Sequence, residues 1–229
     1  VHTDLWGRAQ ARSLGGNKFV ICFVDDYSRH MALYFLKKKS DAPAALRAYL
    51  NDYVRPLGGR IHEIQSDGGG EFLGEFKAIC KTINCRQRFS AADYQQQNSV
   101  AERTWRTIFS ATVRMLEDAQ LPAAYWEDAA LTAAYVKNRI YSTAMHLALN
   151  GRVSPYEALH SIKPDLSLLK VWGSPAYAHI PPGKRTKGER TRGERTRGER
   201  TRGERARADL VTQHVSLESP WCRGATPAD

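Results

Sequence analysis

The chain has 229 residues, a hydrophobic content of 42% and a formal net charge of +10. This length allows one sizeable domain with a tail or two small domains, and a core of that size needs neither disulfides nor a structural metal. The positive charge makes nucleic acid the first partner to consider, because basic surfaces release counterions when they bind polyanions. No apolar run reaches the roughly 18 residues of a membrane-spanning helix, so we expect no membrane partner.

The first 141 residues carry alternating strand and helix patterns. Runs of β-branched and aromatic residues predict strands, and apolar residues at helical spacing predict helices. The resulting order, β-β-β-α-β-α-β-α, is a mixed α/β layer architecture. In chain order, we predict a strand around Asp4, strands at 18–24 and 31–36, a helix capped by Ser40, a strand at 61–65, a helix through 72–83, a strand at 85–89, and helices at 98–119 and 121–141.

The segment DDYSR at 25–29 separates the second and third predicted strands. Asp25 and Asp26 are two adjacent carboxylates and therefore possible metal ligands. Asp and Ser also bond to nearby backbone groups in turns, which favours a structural turn here.

The segment 186–205 is four tandem pentamers, TKGER followed by three copies of TRGER. It has no apolar residue to bury, so we predict that it is disordered. Two interpretations stay open for it: an inert solvated linker and a non-specific DNA-binding tail. We therefore place a folded core at 1–183 and a low-complexity basic tail at 184–229.

Three acidic residues occupy settings that suit phosphodiester chemistry. Asp4 lies in a strand-like segment, Asp67 follows a predicted strand in the turn SDGGGEF, and Glu102 lies near the start of a long helix. Mg²⁺ and Mn²⁺ prefer oxygen ligands. Carboxylates on separate rigid elements can converge on two such ions, which activate a nucleophile and stabilise the leaving oxygen.

Helix geometry places Glu102 beside the packed face of its helix. Asn98, Glu102 and Arg106 are spaced i, i+4, i+8 and form one stripe, next to the stripe that contains Ala101 and Trp105. Asn98 and Arg106 flank the carboxylate and are positioned to contact a phosphate or a base edge.

Six stretches of the chain resemble one known family. They run in the family's order and cover nearly all of residues 1–183. On these motifs the chain resembles the integrase core of copia-type LTR retrotransposons, a retroviral-integrase-like member of the RNase H-like superfamily. The stretches are HTDLWG at 2–7, SLGGNKFVICFVDDYSRHMALYFLKKKS at 13–40, IQSDGGGEF at 64–72, QQNSVAER at 96–103, LPAAYWEDAALTAAYVKNR at 121–139 and SPYEALHSIKPDLSLLKVWGSPAYAHIP at 154–181.

The resemblance implies an RNase H-like mixed sheet flanked by helices and followed by the basic tail. It implies that Asp4, Asp67 and Glu102 bind two Mg²⁺ (or Mn²⁺) ions and catalyse 3′-end processing and strand transfer. The implied partners are the element's DNA ends, target DNA and further copies of the chain. Beside the resemblance, we predict that Arg103 contacts DNA together with Asn98 and Arg106. The implied location is the nucleus, after a cytoplasmic particle stage, and the chain is expected to be a fragment of a polyprotein.

Four positions depart from the family's pattern. Gly68 stands where the family has Asn, Gln95 where it has Pro, Ser99 where it has Gly, and Ser174 where it has Cys. None of them is an implied metal ligand. They leave open an inactive, nucleic-acid-binding remnant of an integrase as the alternative. An RNase H-type nuclease or a DNA transposase shares the carboxylates, but the motifs after residue 121 argue against both.

Overall fold

The computed structural model of the chain describes residues 1–90, 99–141, 153–167 and 169–174. The chain divides into two compact units, Val1–Leu169 and Lys170–Asp229. All the helices and strands described here belong to the first unit. The boundary predicted between residues 183 and 184, and the basic tail predicted after it, lie outside the described residues and stay predictions.

A five-stranded mixed sheet forms the centre of the first unit, as the sequence predicted. The strand order is β3-β2-β1-β4-β5. The pairs β1–β2 and β2–β3 are antiparallel, whereas β1–β4 and β4–β5 are parallel. Hence β1 is the central strand, with neighbours of opposite direction on its two sides. The strands are β1 (His2–Gly7), β2 (Phe19–Val24), β3 (Met31–Leu36), β4 (Glu63–Ser66) and β5 (Arg86–Phe89).

Five α-helices accompany the sheet among the described residues. A π-helical turn at Leu50–Val54 continues the first of them. None of the helices in the described ranges combines the length and the apolar character that crossing a membrane requires. The helices are α1 (Ala42–Tyr49), α2 (Gly74–Thr82), α3 (Ser99–Ala119), α4 (Trp126–Arg139) and α5 (Pro155–His160).

Two apolar cores cover the two faces of the sheet. Side chains alternate across a strand, so the buried residues of β2 divide between the faces. Ile21 and Phe23 pack with α1 and α2, whereas Val20, Cys22 and Val24 pack with α3 and α4. Because both faces are covered, β2 is apolar along its whole length, as the continuous run in the sequence predicted.

The start of α1 differs from the prediction. Ser40 lies in a 3₁₀ turn, Lys39–Asp41, and the residue before α1 is Asp41. The Asp41 carboxylate accepts a hydrogen bond from the Lys38 backbone N–H at 3.0 Å, and Pro43 occupies the first turn of α1. Proline favours the first turn of a helix because its missing N–H costs no hydrogen bond there. Asp41 and Pro43 therefore set the helix start, and the Ser40 prediction is wrong.

A buried asparagine joins α4 to β3. The Asn138 side chain accepts a hydrogen bond from the Met31 N–H at 3.0 Å and donates one to the Met31 C=O at 2.8 Å. Its amide nitrogen also lies 3.1 Å from His30 Nε2. Asn138 thus satisfies backbone groups at the start of an edge strand, which holds α4 in register with the sheet.

Aromatic contacts fix α5 on α4. The Arg139 guanidinium lies 3.4 Å from the ring centroid of Tyr135 and 4.5 Å from that of Tyr156. Ser154 caps α5, because its hydroxyl oxygen accepts the Glu157 N–H at 3.1 Å. One cation therefore bridges aromatic rings of two helices.

Candidate active site

Asp4 lies in the middle of the central strand, β1, and is partly buried. Its Oδ1 accepts a hydrogen bond from the Leu5 backbone N–H at 2.8 Å. Its Oδ2 accepts one from Trp105 Nε1 of α3 at 3.1 Å. Each oxygen therefore has a donor, and the side chain is oriented towards the face of the sheet that α3 covers.

The parallel pairing of β1 and β4 brings Asp67 to the level of Asp4. His2 is paired with Gln65, and continuing this register by two residues sets Asp4 beside Asp67. Neighbouring strands lie about 4.8 Å apart. Two carboxylates from distant parts of the chain therefore lie on neighbouring strands of the sheet, at the level where β4 ends at Ser66.

The turn after β4 shapes the surroundings of Asp67. The carboxylate accepts a hydrogen bond from the Gly69 N–H at 3.1 Å. A Cβ at Gly69 would lie 2.8 Å from the Glu71 side chain and 3.1 Å from Asp67 Oδ1, so a larger residue here would require the Glu71 side chain to shift. At Gly68 a Cβ would meet nothing within 4 Å. The departure from the family's Asn at Gly68 therefore has no steric cause.

Glu102 lies in the first turn of α3 with an exposed side chain. It precedes Trp105 by three residues, so both lie on the same side of the helix. Ala101, Trp105 and Ile108 are buried, which confirms the predicted packed stripe. Since Trp105 reaches Asp4, Glu102 is directed to the same region of the sheet.

The pKa of the Asp4 carboxyl group is affected by the charges of both other acids. Its pKa is raised from 3.8 to about 6, chiefly by burial and next by the negative charge of Asp67, with a smaller contribution from Glu102. The hydrogen bonds from Leu5 and Trp105 act in the opposite direction. The three acids therefore share one electrostatic environment, in which like charges disfavour ionisation of Asp4.

The donor set suits a hard divalent cation. Three carboxylates offer oxygen ligands of the kind that Mg²⁺ and Mn²⁺ prefer, and a cation would relieve the repulsion that raises the pKa of Asp4. Within the described ranges, however, no group of three or more His, Cys, Asp or Glu side chains is close enough to hold a metal ion. The acids are thus electrostatically coupled without being at ligand distances. Their roles as metal ligands stay predictions.

Trp105 is the site residue that the sequence did not reveal. Its place on the buried stripe was predicted, but its bond to Asp4 was not. A signal was present, since a buried indole N–H usually finds an acceptor and Trp105 lies one helical turn after Glu102. No spacing rule, however, pairs it with a residue 101 positions away.

The predicted DNA contacts remain open. Arg103 and Arg106 are exposed on α3, on the surface that carries Glu102. Asn98 lies outside the described residues. A role for any of the three in binding DNA stays a prediction.

The two adjacent aspartates at the end of β2 have structural roles. Asp25 accepts hydrogen bonds from the Ser28 N–H and hydroxyl, each at 2.7 Å. Asp26 pairs with Arg29 at 2.7 Å and with His2 at 3.0 Å. Both carboxylates stabilise the turn into β3, which confirms the preference for a structural turn.

Comparisons with known sequences place the chain among retrotransposon proteins. It is 34% identical, over 188 residues, to the Retrovirus-related Pol polyprotein from transposon TNT 1-94 of Nicotiana tabacum. It is 26% identical, over 187 residues, to that from transposon RE1 of Arabidopsis thaliana. Each alignment covers 82% of this chain but only 14% and 12% of the relatives' length. No protein-family model matches the chain.

Comparisons with solved structures address the fold. A chain of the simian T-cell lymphotropic virus intasome in complex with PP2A regulatory subunit B56 gamma matches with a TM-score of 0.52 and 15% identity, covering 81% of this chain and 60% of that chain. The HTLV-2 integrase catalytic core domain in complex with magnesium matches with a TM-score of 0.48 and 19% identity, covering 69% and 95%. The fold assignment rests on the first match. The sequence relatives and the fold together identify this chain as a homologue of a segment of retrotransposon Pol polyproteins that has the fold of a retroviral integrase core.

Proposed function

We propose that the chain is the catalytic core of a retroelement integrase. It would cleave at element DNA ends with water and then use the freed 3′-hydroxyl to attack a phosphodiester of target DNA. The observation that carries this proposal is that acids from β1, the turn after β4 and α3 lie near enough for the charges of Asp67 and Glu102 to add to the burial that raises the pKa of Asp4. The Pol relatives and the integrase fold agree with it.

Asp4, Asp67 and Glu102 are the residues that would hold two Mg²⁺ or Mn²⁺ ions. When bound, such ions supply activation of the attacking oxygen and charge stabilisation of the leaving oxygen. The protein's own contribution is orientation: the Leu5 N–H and the Trp105 indole each hold one oxygen of Asp4. Burial on the sheet excludes water from one side of Asp4, which strengthens its interaction with a cation.

The remaining parts of the proposal concern partners. Arg103, Arg106 and Asn98 would bind the DNA backbone beside the acids. Element ends must be joined in pairs, so the chain would work as a homo-oligomer. DNA integration would take place in the nucleus, after a cytoplasmic particle stage.

The test is a DNA-joining assay with the full 229-residue chain, duplex oligonucleotides that match the element's ends, and Mn²⁺ or Mg²⁺. We expect joined product from the wild-type chain and a loss of at least 100-fold for Glu102→Gln, since losing a metal ligand removes several kcal/mol of transition-state stabilisation. Glu117→Gln is the control, because Glu117 is exposed at the far end of the same helix. It should retain full joining.

The second candidate function is an inactive remnant that binds DNA without joining it. It is favoured by the four departures from the family's pattern. DNA binding without joined product, unchanged by Glu102→Gln, would establish the remnant and overturn the integrase proposal.

A further inference from the structure

Four cations gather at one end of the sheet, away from the acids. Arg8 follows β1, Lys18 precedes β2, Lys37 follows β3, and Arg12 lies in the loop between the first two. We call these four residues the basic corner. Gly7 is paired with Phe19, and Phe19 with Leu36, so the next residues, Arg8, Lys18 and Lys37, follow on three adjacent strands.

Backbone bonds hold the members of the basic corner close together. The Ala9 N–H donates to the Lys18 C=O at 2.8 Å, and the Lys18 N–H donates to the Leu36 C=O at 3.0 Å. The Lys37 side chain extends over the loop, since its Cε would lie 3.9 Å from a Cβ at Gly16. The pairing of three strands therefore continues into the cationic residues.

The charges of the basic corner act on each other and are not neutralised by neighbours. The pKa of Lys18 is lowered by desolvation first and then by the charges of Arg8 and Arg12. In the described part of the chain, no carboxylate forms an ion pair with any of the four cations. Glu127 approaches the loop, but its carboxylate accepts a hydrogen bond from Asn17 at 3.0 Å.

The loop that carries Arg12 is held rigidly on the protein. Ser13 is buried, and its hydroxyl oxygen accepts the Asn17 N–H at 3.0 Å. The Leu14 N–H donates to the Ala124 C=O at 3.1 Å, at the start of the α4 region. A ligand that binds here would meet a loop whose backbone is already ordered, which lowers the entropic cost of binding.

We propose that the basic corner binds the phosphate backbone of duplex DNA. Its residues are different from Arg103 and Arg106, the DNA contacts predicted on α3. Arg8 is four residues beyond Asp4, about 13 Å along an extended strand, or about four base-pair steps of duplex DNA at 3.4 Å each. The choice of DNA rests on the proposed function, in which a phosphodiester must be held at Asp4 while the duplex continues beyond it.

The experiment measures the affinity of the full chain for a duplex of random sequence at several NaCl concentrations, in EDTA. The test variant carries Arg8→Gln, Arg12→Gln and Lys37→Gln, all exposed positions. The matched control carries Arg55→Gln, Lys77→Gln and Lys81→Gln, three exposed cations of the α1–α2 layer. Both variants lose the same charge. Lys18 is kept, because its backbone joins the strands.

We expect the test variant to reduce the magnitude of the slope of log affinity against log salt by about 2.7, since each of the three removed cations contributes about 0.9 if it neutralises a phosphate. The control should change the slope by less than half as much. Equal slopes for the two variants would overturn the proposal. A loss confined to single-stranded RNA, with duplex binding intact, would also overturn it.

The joining assay keeps the two proposals apart, because EDTA removes catalysis but not binding. If the wild-type chain joins no DNA but the basic-corner variant has a smaller salt slope, the integrase proposal is wrong and the basic-corner proposal is supported. Normal joining with an unchanged slope would do the reverse.

Discussion

A single hydrogen bond links the packed core to the acidic site. Trp105 is buried between α3 and the sheet, and its indole N–H reaches a carboxylate that is electrostatically strained by two other acids. Hydrogen bonds to charged groups contribute about 1.5–3 kcal/mol. Trp105 is therefore a positioning residue, which holds Asp4 in orientation and favours its ionised form.

Trp105→Phe should lower the joining rate roughly tenfold or more, because a loss of 1.36 kcal/mol is a factor of ten. The ring of Phe keeps most of the apolar packing against Phe109, whose centroid lies 5.5 Å from that of Trp105. The acidic limb of the pH–rate profile should also move to higher pH, since the lost bond lowers the pKa of Asp4 in the wild-type chain. Single-turnover joining across pH 5–8 measures both effects.

Trp126→Phe is the matched control for this change. Trp126 is equally buried in the same core, but in the described residues its indole N–H has no hydrogen-bond partner. It should cost stability without moving the pH profile. If both variants lower the rate alike and leave the profile in place, Trp105 acts only through packing.

The residues of the site were predictable to different degrees. Asp4, Asp67 and Glu102 were chosen because their local patterns match a family, and the structure brings their charges together. The partner of Trp105 depends on how α3 crosses the sheet, which no local pattern encodes.

At the scale of elements, apolar periodicity was a sufficient guide to most of the fold. Met31–Leu36 has the bounds that were predicted, and Phe19–Val24 begins one residue late. The helix predicted at 98–119 is described as Ser99–Ala119, and residue 98 lies outside the described residues. The strand expected at 61–65 is shifted to Glu63–Ser66. Ile61 is buried but lies outside the strand. An apolar pattern predicts which residues are buried, but it does not predict which residues pair with a neighbouring strand.

The contact between α4 and β3 could not be read from the sequence. Asn138 occupies a helical position where a polar residue is expected to face solvent, yet it is buried and bonds the backbone of Met31. Beside it, burial lowers the pKa of His30 from 6.5 to about 3, with smaller contributions from the charges of His160 and Arg139. His30 therefore stays neutral inside the protein.

His30 should make the fold sensitive to acid. Because its folded pKa lies below its unfolded value, its contribution is complete above pH 6.5 and is lost as pH falls towards 3. The ring faces Tyr53, His160, Asn138 and Arg139, and of these Arg139 keeps its charge throughout this range. In urea unfolding, His30→Phe should reduce the loss of stability between pH 7 and pH 4.5 by about 2 kcal/mol.

His62→Phe serves as the comparison for the acid sensitivity. His62 is exposed on the surface, so this variant should lose as much stability as the wild-type chain over the same pH interval. An identical loss in all three proteins would show that His30 is not the titrating group.

At the scale of the whole molecule, charge is distributed in two ways. The basic corner is built from paired strands, whereas residues 184–207 carry 11 Lys and Arg against four Glu in a repeated sequence. The chain corresponds to only 14% of the length of the tobacco relative. Integrase activity within a complete polyprotein is therefore proposed for this chain and is not shown by that similarity. Removing the charges of the basic corner and deleting residues 184–207 should therefore have different effects on the protein.

Deleting residues 184–207 should weaken sequence-independent DNA binding and lower its salt slope, because many cations are removed together. The unfolding temperature of the core should stay the same, since a segment with no apolar residue contributes no core packing. Removal of 208–229, which holds one Arg and three acidic residues, is the control and should not weaken binding. A duplex titration that gives the same slope for both deletions would assign the repeats to an inert linker.

The bond between Trp105 and Asp4 spans 101 positions of the chain, which has a consequence for biosynthesis. While a ribosome is still translating the segment before α3, Asp4 and Asp67 have been made but Glu102 has not. At about 5–20 residues per second, the 35 positions from Asp67 to Glu102 take roughly 2–7 s to translate. A nascent polyprotein therefore carries an incomplete set of acids during that time, and a message truncated before α3 yields a product that can never acquire the third.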